Sequence, residues 1–337
     1  MAKGKLLNME LALCNHSSYP RIGDDPALQL LRHTIAQHDK GEKTDDAVRA
    51  AQDRMTELAL AEQAEAGLDL VTDGQIRWAD PISHLAGKLS GVRGNGLLRF
   101  FDTNFYFRQP VVQGRPERRE PLLLEEFEFA RQKSARPVKT VLTGPYTLAR
   151  SSVVENGGSG GFEEMLEGYT AALAEEVAAL AAAGATVIQV EEPALLRHLD
   201  DFPRFERHLS ALAMSKDSAQ LALAVYFGDS AAIYEQLQRL PVDILGLDFT
   251  YSPGLVDRVV SNGTARTLML GLVDGRNTRL EDPAAIARQL EKLAQGADLN
   301  RAYLSPSCGL EYLPRDRARQ KLKHLALIRN TLLGSPS

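Results

Sequence analysis

The sequence predicts an α/β fold of the (β/α)8 kind: a closed barrel of eight parallel strands with one insertion over the mouth at the strands' C-terminal ends. Three observations carry this expectation. Eight short apolar runs recur along the chain, long helical patterns separate them, and polar residues collect where the runs end. Runs of this length and Leu/Val/Ile content suit strands buried on both faces, and eight of them alternating with helices is the count of a TIM barrel.

The runs are, in order, "LALC" (11–14), "LDLVTDG" (68–74), "VKTVLTG" (138–144), "ATVIQVEE" (185–192), "LALAVYFG" (221–228), "VDILGLDF" (242–249), "TLMLGLVDG" (267–275) and "RAYLSPSC" (301–308). Between the first two, "TDDAVRAAQDRMTELALAEQAEAG" (44–67) reads as a helix with Thr44 as its N-cap and a glycine closing it. "GFEEMLEGYTAALAEEVAALAAAGA" (161–185) is a second helix, stopping at Gly184, and "LEDPAAIARQLEKLAQGAD" (280–298) repeats the pattern. Residues 75–137 break the alternation. They contain "RFFDTNFYFRQP" and are expected to cross the mouth as an insertion with a hairpin of its own. "ENGGSGG" (155–161) reads as a flexible loop at the same end. The expected organisation is one domain over residues 1–337, with 75–137 as a lid segment within it.

Composition narrows the function classes. A formal net charge of −5, with no stripe of Lys or Arg, argues against nucleic acid as a partner and leaves a small-molecule substrate. No apolar stretch reaches the roughly 18–20 residues that span a bilayer. The first fifteen residues lack the apolar core and cleavage site of a secretory signal, so the expected location is cytoplasmic. Cys14 and Cys308 are the only cysteines, too few for a disulfide framework or a CxxC knuckle.

In a barrel of this kind the chemistry sits at the C-terminal strand ends. There the sequence offers His16, Glu191, Glu192, Asp229, Asp248 and Cys308. Converging carboxylates with one thiol suit a zinc site or the capture of an ammonium group. The alternative is that these acids cap the helices that follow, or pair with Arg21, Arg77 and Arg276. Trp78, the only tryptophan, is a candidate to stack a ligand or to anchor the lid.

"SSYPRIGD", "VTDGQIRWADP", "FFDTNFYF", "VLTGPYT", "VIQVEEPAL", "LAVYFGD" and "LSPSCGLEYLP" together, in this order along nearly the whole chain, resemble the cobalamin-independent methionine synthase superfamily. "FFDTNFYF" and "VYFGD" resemble the N-terminal barrel of the long enzyme more than its catalytic C-terminal barrel. The resemblance implies methyl transfer to a thiol such as homocysteine, from methyl-folate or methylcobalamin, with a methyl-donor protein as a conceivable partner and the thiol activated on zinc. It implies metal ligands at Cys308, in "SPSCGL", and at Asp248, where the family carries Glu. Where the family's His-x-Cys pair is expected, Tyr226 and Gly228 stand. Zn²⁺ takes four donors, or three and a water, so two donors short the set favours Cys308 as a packed small residue. For the amino-acid end of the substrate the resemblance implies Ser17, Ser18, Gln75 and Glu191. A tryptophan that stacks the pterin in catalytic relatives is replaced near Ser151. No catalytic residue is assigned. Two other readings stay open: a non-catalytic amino-acid-binding barrel or subunit without zinc, and a lyase or decarboxylase on the same scaffold, of the uroporphyrinogen-decarboxylase type.

Overall fold

A computed structural model describes residues 10–155 and 161–334. Most of the loop read in "ENGGSGG", residues 156–160, and the first nine residues lie outside the described residues. The chain divides into two compact units, one of residues 10–77, 129–138 and 254–334, the other of 78–128 and 139–253.

In the first unit β1 (Ala12–Leu13) runs parallel to β10 (Tyr303–Pro306), and β10 runs parallel to β9 (Thr267–Val273). On the other side of β1, Cys14 forms a parallel bridge to Leu70, and Val71 one to Val138. Leu13, Cys14, Leu270 and Leu304 are fully buried. The helix Asp45–Glu65 starts where Thr44 Oγ1 accepts from Ala47 N at 3.3 Å, and the chain turns out of it at Gly67, φ +84. Helix Pro283–Leu293 starts on Asp282, whose carboxylate accepts from Ala284 N at 3.0 Å. Arg315 opens the helix Arg315–Leu332 from within the core. Its guanidinium meets Glu62 at 3.1 Å and Pro20 O at 2.7 Å, and Tyr19 OH donates to the same Glu62 at 2.8 Å. A buried guanidinium needs such a set of partners.

The second unit holds four parallel strands, β4 (Thr140–Thr143), β6 (Val187–Glu191), β7 (Gln220–Val225) and β8 (Ile244–Asp248), paired in that order. β6 and β8 are buried along their whole length, the polar side chains of Gln189, Glu191 and Asp248 included. The insertion contains the expected hairpin: β2 (Ser90–Arg99) and β3 (Tyr106–Glu117) pair antiparallel, and β5 (Val153–Val154) joins β3 in parallel. Two devices fix this hairpin. Helix Gly161–Ala182 approaches β3 so closely that a Cβ at Gly168 would come 2.5 Å from Pro116. Farther along that helix the fully buried Glu176 accepts from Arg118 Nε, Leu122 N and Leu123 N at 2.7, 2.9 and 2.7 Å.

Every apolar run read from the sequence is thus a parallel strand or bridge, and the fold class is α/β of the (β/α)8-barrel kind.

Candidate functional site

The strand ends of the second unit carry a buried polar chain. Gln189 and Glu191 lie two residues apart on β6, hence on one face of it. Gln189 Nε2 donates to Glu191 Oε1 at 3.0 Å, and Lys139 Nζ donates to Gln189 Oε1 at 2.6 Å. From β7's end Tyr226 OH donates to Glu191 Oε2 at 2.9 Å. All four side chains are buried, Glu191 at 3% exposure. Lysine inside "VKTVLTG" was the sequence signal for this chain, because a buried lysine demands polar partners.

The neighbouring carboxylate does other work. Glu192 points away to the start of helix Pro145–Ser151, accepting from Tyr146 N at 3.0 Å, Thr147 N at 2.7 Å and Thr147 Oγ1 at 2.5 Å. Gly144 leaves room for it; a Cβ there would sit 2.1 Å from Glu192 Oε1. Complete burial pushes the Glu192 carboxyl up to about 7, even though these hydrogen bonds favour the charged form. Asp248 likewise serves the backbone after β8: its Oδ1 accepts from Thr250 N, Thr250 Oγ1 and Tyr251 N at 2.9, 2.6 and 3.2 Å. Asp229 is exposed and accepts from Ala231 N at 2.9 Å. Of the expected convergent acids in this unit, Glu191 meets the side chains of Gln189 and Tyr226, whereas Glu192, Asp229 and Asp248 accept from loop and helix-start amides, groups that no pattern of apolar residues reveals.

The turn after β7 is unusual. Phe227 has φ +65, the left-handed region that L-residues with bulky side chains rarely enter. Its ring packs on Phe101 at 5.6 Å and Phe100 at 6.4 Å, both from the hairpin tip. A Cβ at Gly228 would meet Leu196 Cβ at 2.6 Å. Ser151 lines a cleft of about 210 Å³ together with Phe101, Arg99, Arg150, Arg197 and His198. Burial first, then Arg150, holds the His198 imidazole below its usual range. Trp78 is an anchor: its indole stacks on His84 at 4.9 Å and donates to Glu126 Oε2 at 2.9 Å. Burial would raise the Glu126 carboxyl, but the hydrogen bonds and charges of His84 and Lys88 outweigh it and hold it at about 2.

In the first unit, Ser17 and Ser18 are each 2% exposed. Ser17 O accepts from Asn15 Nδ2 at 3.0 Å and Thr72 Oγ1 at 2.5 Å, and His16 Nδ1 lies 3.0 Å from Ser17 Oγ. Ser18 O accepts from Leu310 N at 3.0 Å, and Gly309 lies so close that a Cβ would come 2.1 Å from Ser18 Oγ. Cys308 is fully buried, its Sγ 3.5 Å from Gly309 O and against Gly275, where a Cβ would come within 2.8 Å. Gln75 follows Gly74 in a turn held by a bond from its own N to Asp73 Oδ1 at 3.1 Å. Arg77 pairs with Asp53 at 2.5 Å.

These residues do not fit the zinc that the resemblance implies. Tyr226 and Gly228 offer no imidazole or thiolate, Leu196 fills the space a side chain at 228 needs, and Asp248 Oδ1 already takes three donors. Among the described residues, no group of three or more His, Cys, Asp and Glu side chains is placed to hold a metal ion.

The fold and the buried polar strand ends define an α/β-barrel protein. Its relatives are specific. The family described as cobalamin-independent synthase, catalytic domain, matches residues 18–329, and the chain belongs to that family. The matching description is the catalytic domain, not the N-terminal barrel toward which "FFDTNFYF" and "VYFGD" lean. A methionine synthase of Sulfurisphaera tokodaii is 30% identical over 310 residues, 90% of this chain and 89% of the relative. One of Saccharolobus solfataricus is 28% identical over 305 residues, 89% and 90% of the two chains. Among solved structures, a B12-independent methionine synthase from Shewanella sp. W3-18-1 in complex with selenomethionine superposes with TM-score 0.77 at 20% identity, covering 96% of this chain and 97% of that one. A methyltransferase from Methanosarcina mazei gives 0.66 at 17% identity, covering 98% and 96%.

Proposed function

We propose that the chain passes a methyl group to the sulfur of a thiol amino acid such as homocysteine, giving a thioether. The observation that carries this is family membership across residues 18–329, with relatives called methionine synthase aligned over nine-tenths of both chains. In the reaction a sulfur lone pair forms the new S–C bond as the methyl–donor bond breaks; the donor atom keeps that bond's electron pair, and with methyl-folate as donor the proton given up by the thiol balances the one its nitrogen takes up. Because the family is cobalamin-independent, methyl-folate is the proposed donor. No step is assigned to zinc.

Glu191 is proposed to hold the ligand's ammonium group. Support comes from its burial and its fixed orientation between Gln189 and Tyr226; a preset carboxylate makes a strong charge-assisted contact. Ser17, Ser18 and Gln75 are proposed to contact an amino-acid ligand, as the resemblance implies. The selenomethionine in the Shewanella relative supports a methionine-like ligand. Mixing the purified chain with homocysteine and methyl-labelled methyl-folate, or labelled methylcobalamin in a parallel arm, is expected to give labelled methionine from the folate arm. Label from the cobalamin arm alone replaces the donor, and none from either overturns the transfer.

A second reading has its own observation. Tyr226 and Gly228 replace the family's paired metal donors, which favours a barrel that binds the amino acid without turning it over. Tight methionine binding with no label transferred is the result that selects it.

A further inference from the structure

Lys139 is a buried cation at the foot of β4, 1% exposed and directly before Thr140. Val141 is the register partner of Gln189 on β6, and Thr143 that of Glu191. Lys139, two residues before Val141, therefore shares a sheet face with Gln189 and Glu191. Its ammonium reaches Gln189 Oε1 at 2.6 Å, Gln189 Nε2 reaches Glu191 Oε1 at 3.0 Å, and Tyr226 OH meets Oε2 at 2.9 Å. The relay runs from the start of one strand to the end of the next. An apolar side chain would fill the place of Lys139 without the cost of burying a charge.

The relay has one sense. An amide accepts at one end and donates at the other, so Gln189 alone could meet Glu191 either way round. An ammonium only donates. Lys139 therefore takes the amide oxygen and leaves the NH2 for Glu191. A donor held on Oε1 favours the ionised carboxylate, whereas a reversed amide would set oxygen against oxygen and favour a proton there. We infer that Lys139 is a positioning residue for Glu191: through Gln189 it fixes which end of the amide meets Glu191 and keeps that carboxylate charged. The benefit to a ligand rests on the ammonium role proposed for Glu191, whereas the sense of the amide does not.

The test compares the whole chain as wild type, Lys139→Met, Lys139→Arg and Glu191→Gln, by infrared spectroscopy and calorimetric titration of methionine. The difference between wild type and Glu191→Gln isolates Glu191, since the other carboxyl groups, Glu192 among them, are common to both and cancel. It is expected to contain carboxylate bands and no protonated carboxyl band at neutral pH. Lys139→Met frees Gln189 to reverse. A protonated carboxyl band that disappears when Glu191→Gln is added is expected, with a loss of about tenfold or more in methionine affinity. Lys139→Arg also only donates and is expected to keep the carboxylate and most of the affinity, which a lysine that merely filled space would not predict for a larger side chain. A protonated Glu191 in the wild type overturns the inference whether or not a variant folds, and so does a Glu191 that stays charged in Lys139→Met. Loss of the carboxylate in Lys139→Arg as well makes the lysine structural and overturns it too. A wild type that binds no methionine defeats the ammonium role of Glu191, while the infrared bands still decide the role of Lys139.

Discussion

Replacing Glu191 by Gln removes one charge and almost no volume. In the native chain, Oε1 accepts from Gln189 Nε2 and Oε2 from Tyr226 OH. An amide at 191 would keep its oxygen toward Gln189 and turn its NH2 toward Tyr226, whose hydroxyl rotates to accept. Both contacts survive, so stability should change by less than about 1 kcal/mol, a shift of a few degrees at most in a chain of this size. The ligand ammonium loses its counter-charge, which costs about 1.5–3 kcal/mol, or roughly tenfold to a hundredfold in affinity. Calorimetric titration of methionine into wild type and Glu191→Gln, with melting curves in parallel, measures both quantities. Equal affinities, or a collapse of stability that accompanies the weaker binding, would refute the ammonium role.

Two buried glutamates should move stability with pH in opposite directions. Glu192 is raised from 4.5 to about 7, so the folded state binds more proton than the unfolded one between those values, and stability falls as pH rises through that window by on the order of 3 kcal/mol; Glu192→Gln should flatten that slope in denaturant titrations. Glu126 is lowered from 4.5 to about 2, so its stabilisation is present above pH 4.5 and lost as pH falls toward 2, a loss that Glu126→Gln should abolish. Gly144→Ala places a Cβ 2.1 Å from Glu192 Oε1 and should destabilise by more than about 3 kcal/mol, seen as a lowered unfolding midpoint or loss of soluble protein. Elemental analysis is expected to find zinc well below one per chain, unchanged in Cys308→Ser; a stoichiometric zinc that disappears in the variant would restore Cys308 as a ligand.

The barrel strands were legible because they are largely buried on both faces and therefore mostly apolar, so each run stands out from the helices around it. The helix starts at Thr44 and Asp282 and the closing turn at Gly67 were legible for a local reason, a side chain or a positive φ acting within a few residues. "RFFDTNFYFRQP" gave away the hairpin. The site was less readable. Tyr226 reaches Glu191 across 35 positions, Trp78 reaches Glu126 across 48, and Glu192 caps a helix 45 positions before it. Such contacts depend on which strands become neighbours, and they leave no period in the sequence. Glu191 and Glu192 look alike as letters. Only the alternation of the strand sends one to Tyr226 and the other to a helix start.

The left-handed Phe227 has a consequence beyond the turn it makes. A bulky residue at φ +65 holds roughly 1–3 kcal/mol of backbone strain, and packing from Phe100 and Phe101 helps to keep it there, beside the bond from Phe227 N to Asp248 Oδ2 at 3.4 Å. The turn is therefore spring-loaded, with the hairpin tip as its catch. Tyr226 precedes Phe227 directly, so release of the tip lets the turn relax and loosens the tyrosine's grip on Glu191. Motion of the hairpin tip is thereby carried to a buried carboxylate through a single peptide unit, which makes the pace of exchange of the ligand proposed at Glu191 a property of the hairpin as well as of Glu191's own neighbours.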